Sequence, residues 1–274
     1  MPTACPDSTT LTVFKGRLLA AQGQRPFEAL LQQVVAQACA QGITFGRIQV
    51  VDSVHTVADV NVEEDDHRRG SGRPRRDADA RWGAKGSRSR VTGEGVRERH
   101  VEHFFGYKAH VSLNAENGII TSLVVTTGEA YDGHYLPPLV VRDKPRLGLP
   151  VTVYAGDWGY DDGENHALLA AQGLKSALRL YAYRTQKKDG NTAPWQRLLA
   201  DPDYQAGLRE RPKGGAPSGR PKRATACGAV GAWGLVRYVV QGYLTAMVVN
   251  RKRMVKLLTG VRFRNQPQVV PRAA

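Results

Sequence analysis

No aspartate or glutamate follows Glu210 in this 274-residue chain. Residues 211–274 hold thirteen Lys and Arg and no acid, and so carry nearly all of the net charge of +14. Any site that needs carboxylates must therefore draw them from earlier positions. Cysteine is scarce: Cys5, Cys39 and Cys227 are odd in number and lack metal-ligand spacing, which argues against a disulfide framework. No apolar run reaches the roughly 18 residues of a membrane span, and the N-terminus shows no signal-peptide pattern. What remains is enough chain for one large domain or two small ones. Its apolar fraction of 41% is adequate for a core.

The basic excess falls in two places, the C-terminal region and a run from Arg68 to Arg99. Two such clusters predict a polyanionic partner, most simply nucleic acid. Candidate phosphate contacts are Arg68, Arg69, Arg73, Arg75, Arg76, Lys108, Lys222 and Arg223.

Periodicity predicts two helices over 11–21 and 26–41, the second with Phe27, Leu30, Leu31, Val34, Val35 and Ala38 on one stripe and Gly42 as its stop. Ile48 to Asp52 is a short buried strand. Residues 62–103 are polar, acidic at first and then rich in Arg, Gly and Ser, and are expected to be a flexible insertion. Residues 107–113 and 119–127 form a hairpin around Asn114-Ala115-Glu116-Asn117-Gly118. A helix over 132–142, a strand over 151–155, a helix over 164–172 and a strand over 176–180 follow. A helix over 238–258 closes the chain. This order predicts an α/β fold with a mixed sheet flanked by helices. The domain reading is a helical N-terminal segment (1–46), an α/β domain (47–258) and a basic tail (259–274).

Two aspartates stand out. Asp52 ends the run Ile48-Gln49-Val50-Val51, and Asp157 follows Val151-Thr152-Val153-Tyr154-Ala155-Gly156. A carboxylate at a strand tip is held rigidly yet reaches solvent, which suits a metal ligand. A pair of them suits a two-cation nuclease-type site. His100 and His103 have an i, i+3 spacing, but their setting leads into a strand, so they are read as structural.

Four stretches carry a resemblance: Val51-Asp52-Ser53-Val54-His55-Thr56, Phe105-Gly106-Tyr107-Lys108-Ala109-His110-Val111, Thr126-Thr127-Gly128-Glu129-Ala130-Tyr131-Asp132-Gly133 and Asp157-Trp158-Gly159-Tyr160-Asp161. In this order they resemble the catalytic domain of bacterial insertion-sequence DDE transposases of the IS4/IS5/IS1182-like group. The resemblance runs from about Pro6 to Arg264. It implies an RNase H-like fold, and DNA strand cleavage and transfer with Mg²⁺, or Mn²⁺ in its place. It makes Asp52 and Asp157 the first two metal-binding carboxylates. It also implies transposon-end and target DNA as partners, a homodimer in the DNA complex, no membrane, and a cytoplasmic, nucleoid-associated location in a bacterium.

The chain departs from that family in two ways. Few residues precede the resembling region, so a preceding DNA-binding segment is expected to be missing. The family's third carboxylate is a Glu on a late helix, with a Lys seven positions on and a Gly-His-Gly-Leu-Arg-Arg-like stretch. Aligning that Lys with Lys222 places Gly215 where the Glu belongs, among glycines and prolines that oppose a helix. Glu210 is the nearest surrogate, but five residues on a helix is about one and a half turns, which faces it elsewhere. A frameshift over 213–231 is our hypothesis for the cause. Arg223-Ala224-Thr225-Ala226-Cys227-Gly228-Ala229 admits the codons CGG GCC ACG GCC TGC GGC GCG. Read from the last base of the first codon, these encode Gly-His-Gly-Leu-Arg-Arg. The gene's nucleotide sequence across codons 205–240 decides it: if that frame does not encode the stretch, the hypothesis fails. Three functional readings follow: an impaired metal-dependent transposase domain, an inactive remnant that only binds DNA, and an RNase H-like nuclease unrelated to transposition.

Overall fold

The computed structural model describes residues 8–91, 97–186, 192–213 and 234–261. The chain enters through α1 (Ser8–Gln22) and α2 (Arg25–Ala40), with Pro26 in the first turn of α2, where a missing N–H costs nothing. Phe27, Leu31, Val34, Val35 and Ala38 are buried along one stripe of α2, as the spacing predicts, and Leu30 lies exposed beside it. Gly42 takes a positive φ of 77° after the helix.

The sheet follows. Its strands are β1 (Ile48–Val57), β2 (Arg81–Val91), β3 (Arg97–Asn114), β4 (Ile120–Thr127), β5 (Val153–Gly156) and β6 (Lys175–Leu178). The helices between and after them are α3 (Val62–Gly70), α4 (Leu136–Leu147), α5 (Gly163–Ala171), α6 (Ala182–Gln186), α7 (Ala193–Ala200), α8 (Pro202–Glu210) and α9 (Leu235–Thr259). The core order is β4-β3-β1-β5-β6: β1, β3 and β4 pair antiparallel, while β5 and β6 run parallel to β1. This is a mixed sheet flanked by helices, as the element order predicts.

Side chains alternate across the sheet. Val50, Ala109, Val111, Leu113, Val153, Ala155 and Ala177 pack on one face, against α2, Tyr204 of α8, and Val239, Tyr243 and Ala246 of α9. Val51, Tyr154 and Leu178 pack on the other, against Leu136, Leu139 and Val140 of α4 and Leu169 of α5. A buried asparagine fastens α9 to β4: Asn250 donates to the Ile120 carbonyl at 2.7 Å and accepts from its N–H at 2.8 Å. No helix among the described residues is long and apolar enough to cross a membrane.

Two expectations are corrected. First, residues 62–103 do not form one long loop. Asn61 caps α3 by accepting from Glu63 and Glu64 N–H groups. The buried Asp65 accepts from Arg76 N–H at 2.8 Å, and the buried Asp77 accepts from Ala80 N–H and the Tyr107 hydroxyl. β2 then pairs antiparallel with the outer half of β3. The low apolar content misleads because backbone pairing and capping side chains hold this segment, with only a few apolar residues such as Val62 and Ala80 packed against Phe105, Tyr107 and Tyr238. His100 and His103 fall on β3, in keeping with their structural reading. Second, β1 does not stop at Asp52. Its ladder with β3 continues from Gln49↔Asn114 to Val57↔Gly106, so Asp52 lies in mid-strand, opposite Val111.

Further along, Ala193–Ala200 and Pro202–Glu210 form α7 and α8. Asp201 caps α8 by accepting from Asp203 N–H at 2.7 Å, ahead of Pro202. α8 lies on β5 and β6 through Gly207, where a Cβ would stand 2.3 Å from Ala177 Cβ and 3.4 Å from Ala155 Cβ. Gly207→Ala is therefore expected to destabilise the fold by about 1–3 kcal/mol despite alanine's better helix propensity, because overpacking outweighs it. Gly70→Ala, whose Cβ meets nothing, serves as the control. Urea unfolding of both variants measures this, and a neutral or stabilised Gly207→Ala contradicts the close approach.

Candidate active site

β1 and β5 run parallel in the register Ile48↔Val153, Gln49↔Tyr154, Val50↔Ala155. Carried two residues further, the same register sets Asp52 beside Asp157. β5 ends at Gly156, so Asp157 is a strand-tip residue, and its Oδ1 accepts from Gly159 N–H at 2.9 Å. Asp52 Oδ1 accepts from Ser53 N–H at 2.8 Å. Both carboxyls are part-buried. Burial lifts Asp52 to about 6, the charges of Asp157 and Asp132 add to the rise, and the Ser53 N–H and Arg211 oppose it. Burial also raises Asp157, with Asp132 adding to it and the Gly159 N–H, Arg211 and Lys108 opposing.

A third carboxylate, Asp132, stands beside this pair, at the start of the short 3₁₀ turn Asp132–Tyr135. Its Oδ2 accepts from Ser53 Oγ at 2.8 Å and its Oδ1 from Lys108 Nζ at 2.9 Å. Lys108 also donates to the Ala130 carbonyl at 2.8 Å. The buried His110 places Nδ1 3.8 Å from Asp132 Oδ1 while Nε2 meets Thr126 Oγ1 at 3.0 Å. Burial lowers its pKa against the pull of Asp132, so the ring is neutral. Gly159 keeps space open between two of the acids. A Cβ there would lie 3.1 Å from Asp157 Oδ1 and 3.6 Å from Asp132 Oδ2.

The other sequence-predicted residues divide. Glu210 is the last residue of α8 and is half-buried. Its neighbour Arg211 comes close enough for its charge to reach both Asp52 and Asp157. Among the described residues, no group of three or more His, Cys, Asp and Glu is arranged to hold a metal ion. Lys108 turns into the carboxylate cluster, bonded to Asp132 and the Ala130 carbonyl. Arg75 pairs with Asp66 at 2.5 Å and Arg76 with Glu64 at 2.7 Å, so part of the basic run is neutralised by its own helix. Arg68 Nε donates to the Pro74 carbonyl at 3.4 Å, and Arg69 and Arg73 are exposed. Lys222, Arg223 and nearly all of 213–231 lie outside the described residues. Sequence reasoning missed Asp132 and Arg211 as site residues. Asp132 sat within a quoted motif but followed no apolar strand, the only signal used to pick out its partners.

The raised Asp52 has a consequence for stability. In the unfolded chain its carboxyl ionises near pH 4, and in the folded chain near pH 6. Below pH 4 both states are protonated and nothing is lost. As pH rises from 4 through 6 the unfolded state sheds its proton first, so folding loses stability, fully by pH 8. Without divalent cations, Asp52→Asn is expected to stabilise the chain at pH 8 by about 1–2 kcal/mol, discounted for partial exposure, and to change little at pH 4. Thermal melts in EDTA at the two pH values read this directly; equal shifts at both contradict it.

The model of the family described as Transposase DDE domain matches residues 49–228. The transposase for insertion sequence element IS1106 of Neisseria meningitidis serogroup B is 28% identical over 193 residues, covering 70% of this chain and 57% of that protein. The chain thus spans little more than half the length of this curated relative. Among solved structures, the Mos1 mariner paired end complex with Mn aligns at a TM-score of 0.25 and 10% identity, covering 86% of this chain and 62% of that one. The chain belongs to the transposase DDE domain family.

Proposed function

We propose that this chain is the catalytic domain of an insertion-sequence transposase that cuts and joins DNA strands with divalent cations, Mg²⁺ or Mn²⁺, held by Asp52 and Asp157. The observation that supports the reading is the β1–β5 register, whose extension past Val50↔Ala155 leads to Asp52 and Asp157, near enough for the Asp157 charge to raise Asp52. The donor set fits such a cation. Mg²⁺ takes hard oxygen ligands, often only one or two protein carboxylates completed by water and substrate phosphates. A cation held by the two carboxylates would offset the burial and repulsion that raise both acids.

When bound, such cations activate a water or 3′-hydroxyl and stabilise the leaving oxygen. The chain's own residues do the rest. Asp132 holds Lys108 by an ion pair and Ser53 by a hydrogen bond, which fixes a positive charge beside the carboxylates. Arg211 brings a second positive charge within range of both aspartates, and the two together suit the non-bridging oxygens of a phosphodiester. The neutral His110 packs beneath, stacked on Tyr135 with ring centroids 4.4 Å apart. Arg69 and Arg73, exposed on and after α3, are available to track the DNA backbone. Transposon ends and target DNA are the proposed partners, engaged by a homodimer.

An inactive remnant that only binds DNA non-specifically is the second reading. It is supported by the lack of a third ligating carboxylate among the described residues, and Glu210 is the surrogate to mutate first. Strand transfer from a pre-nicked DNA end discriminates between the two. Weak activity is expected from the chain as it stands, and stronger activity once the shifted frame is restored across 213–231. Asp52→Ala and Asp157→Ala should each reduce activity by more than about 100-fold, beyond the range typical of outer-shell partners. Activity that survives Asp52→Ala would sink the proposed site. Robust activity lost in Glu210→Gln would show that the impaired reading is wrong. For binding, the double variant Arg69→Ala, Arg73→Ala should weaken duplex affinity and lower the log–log salt slope by about 2. An unchanged slope removes these arginines from the interface.

A further inference from the structure

β5 and β6 are parallel neighbours, paired as far as Gly156↔Leu178, so the residues that follow each strand emerge at one edge of the sheet. Trp158 follows β5, directly after Asp157; Arg179, Tyr181 and Tyr183 follow β6. Their rings form a ladder. Trp158 and Tyr181 have centroids 6.4 Å apart and planes 17° from parallel, and Tyr181 and Tyr183 are 5.7 Å apart at 20°. All three are exposed, at 44%, 38% and 52%. The Arg179 guanidinium lies 3.9 Å over the Trp158 ring and forms no ion pair among the described residues.

The ladder is also held rigidly. The buried Asp161 accepts from Tyr181 N–H at 2.7 Å and pairs with Arg184 at 2.8 Å. Contiguous exposed aromatics are uncommon on a monomer and mark a surface that meets something. A line of near-parallel rings with a guanidinium over one of them has the flat apolar faces and the charge that a nucleobase strand requires.

We propose that Trp158, Tyr181 and Tyr183, with Arg179, form a stacking platform for unpaired nucleotides of a DNA strand that passes the Asp52–Asp157 carboxylates. This rests on the reading of that site as the place of strand cleavage, and it names the form of substrate the site receives. Interior base pairs of a duplex have both faces covered by their neighbours, so successive rings of the ladder can be occupied only by unpaired nucleotides. Every base has a π-face, so the platform tolerates any sequence.

The test uses the full chain in EDTA, where nothing is cut, and fluorescence anisotropy with three probes: a 12-nucleotide thymidine strand, an abasic 12-mer with the same phosphates, and a 12-base-pair duplex. The thymidine strand is expected to bind about tenfold or more tighter than the abasic one. Trp158→Ala and Tyr183→Ala should each weaken thymidine binding by roughly 5- to 100-fold and leave the abasic strand and duplex within about twofold. Trp158→Phe should retain most of the affinity, which assigns the loss to the ring and not to folding. Equal affinity for thymidine and abasic strands overturns the proposal, as does a Trp158→Ala loss shared by all three probes. Because no cleavage is read, a failed strand-transfer assay leaves this result standing, and failure here leaves the carboxylate site untouched.

Discussion

Three residue pairs of parallel β-bridge, between β1 and β5, set the geometry on which the rest of the site depends. They align two strands whose next polar residues are both aspartates, and a shift of one residue would turn one carboxylate to the opposite face. The pairing is short, so its register must be enforced from both sides of the sheet. Val50, Val153 and Ala155 lie under α8 and α9, while Val51 and Tyr154 lie under α4 and α5. Gly207 lets α8 come down on β5 and β6, and that descent carries Arg211 to within range of both aspartates. Packing on one face and electrostatics at the edge are thus a single arrangement.

The carboxylates are held in a state that favours protonation or a cation. Burial raises both, and Asp132 raises both further. Asp132 itself is compensated by Lys108 and Ser53, so it stays anchored on β1 and β3 while its charge acts on its neighbours. Lys108 and Arg211 offset part of this negative charge, and the proposed function rests on that balance. The aromatic ladder beyond Asp157 continues from the same strand ends, so the two proposed sites lie next to each other after β5 and β6.

Much of this was legible in the residues. The stripe of α2, the hairpin around Asn114–Gly118, the short strand before Asp157 and the long closing helix all follow from local periodicity, because burial of one face imprints a repeat of 3.6 or 2 on the chain. The same logic singled out Asp52 and Asp157. It failed over 62–103, where α3 and β2 are held by Asn61, Asp65, Asp77 and backbone pairing with β3, none of which leaves an apolar repeat.

By itself the sequence determined which segments are buried strands and helices, where the positive charge accumulates, and that two aspartates accompany apolar strands. Only the tertiary structure decided that Asp132, Lys108 and Arg211 join them, that β1 runs on past Asp52, and that Trp158 stacks with rings more than twenty residues away. The reason is physical. Local pattern reports how far each side chain is from water, whereas these meetings come from strand pairing and helix packing between distant segments, which depend on backbone geometry and chain closure and leave no mark in the neighbouring residues.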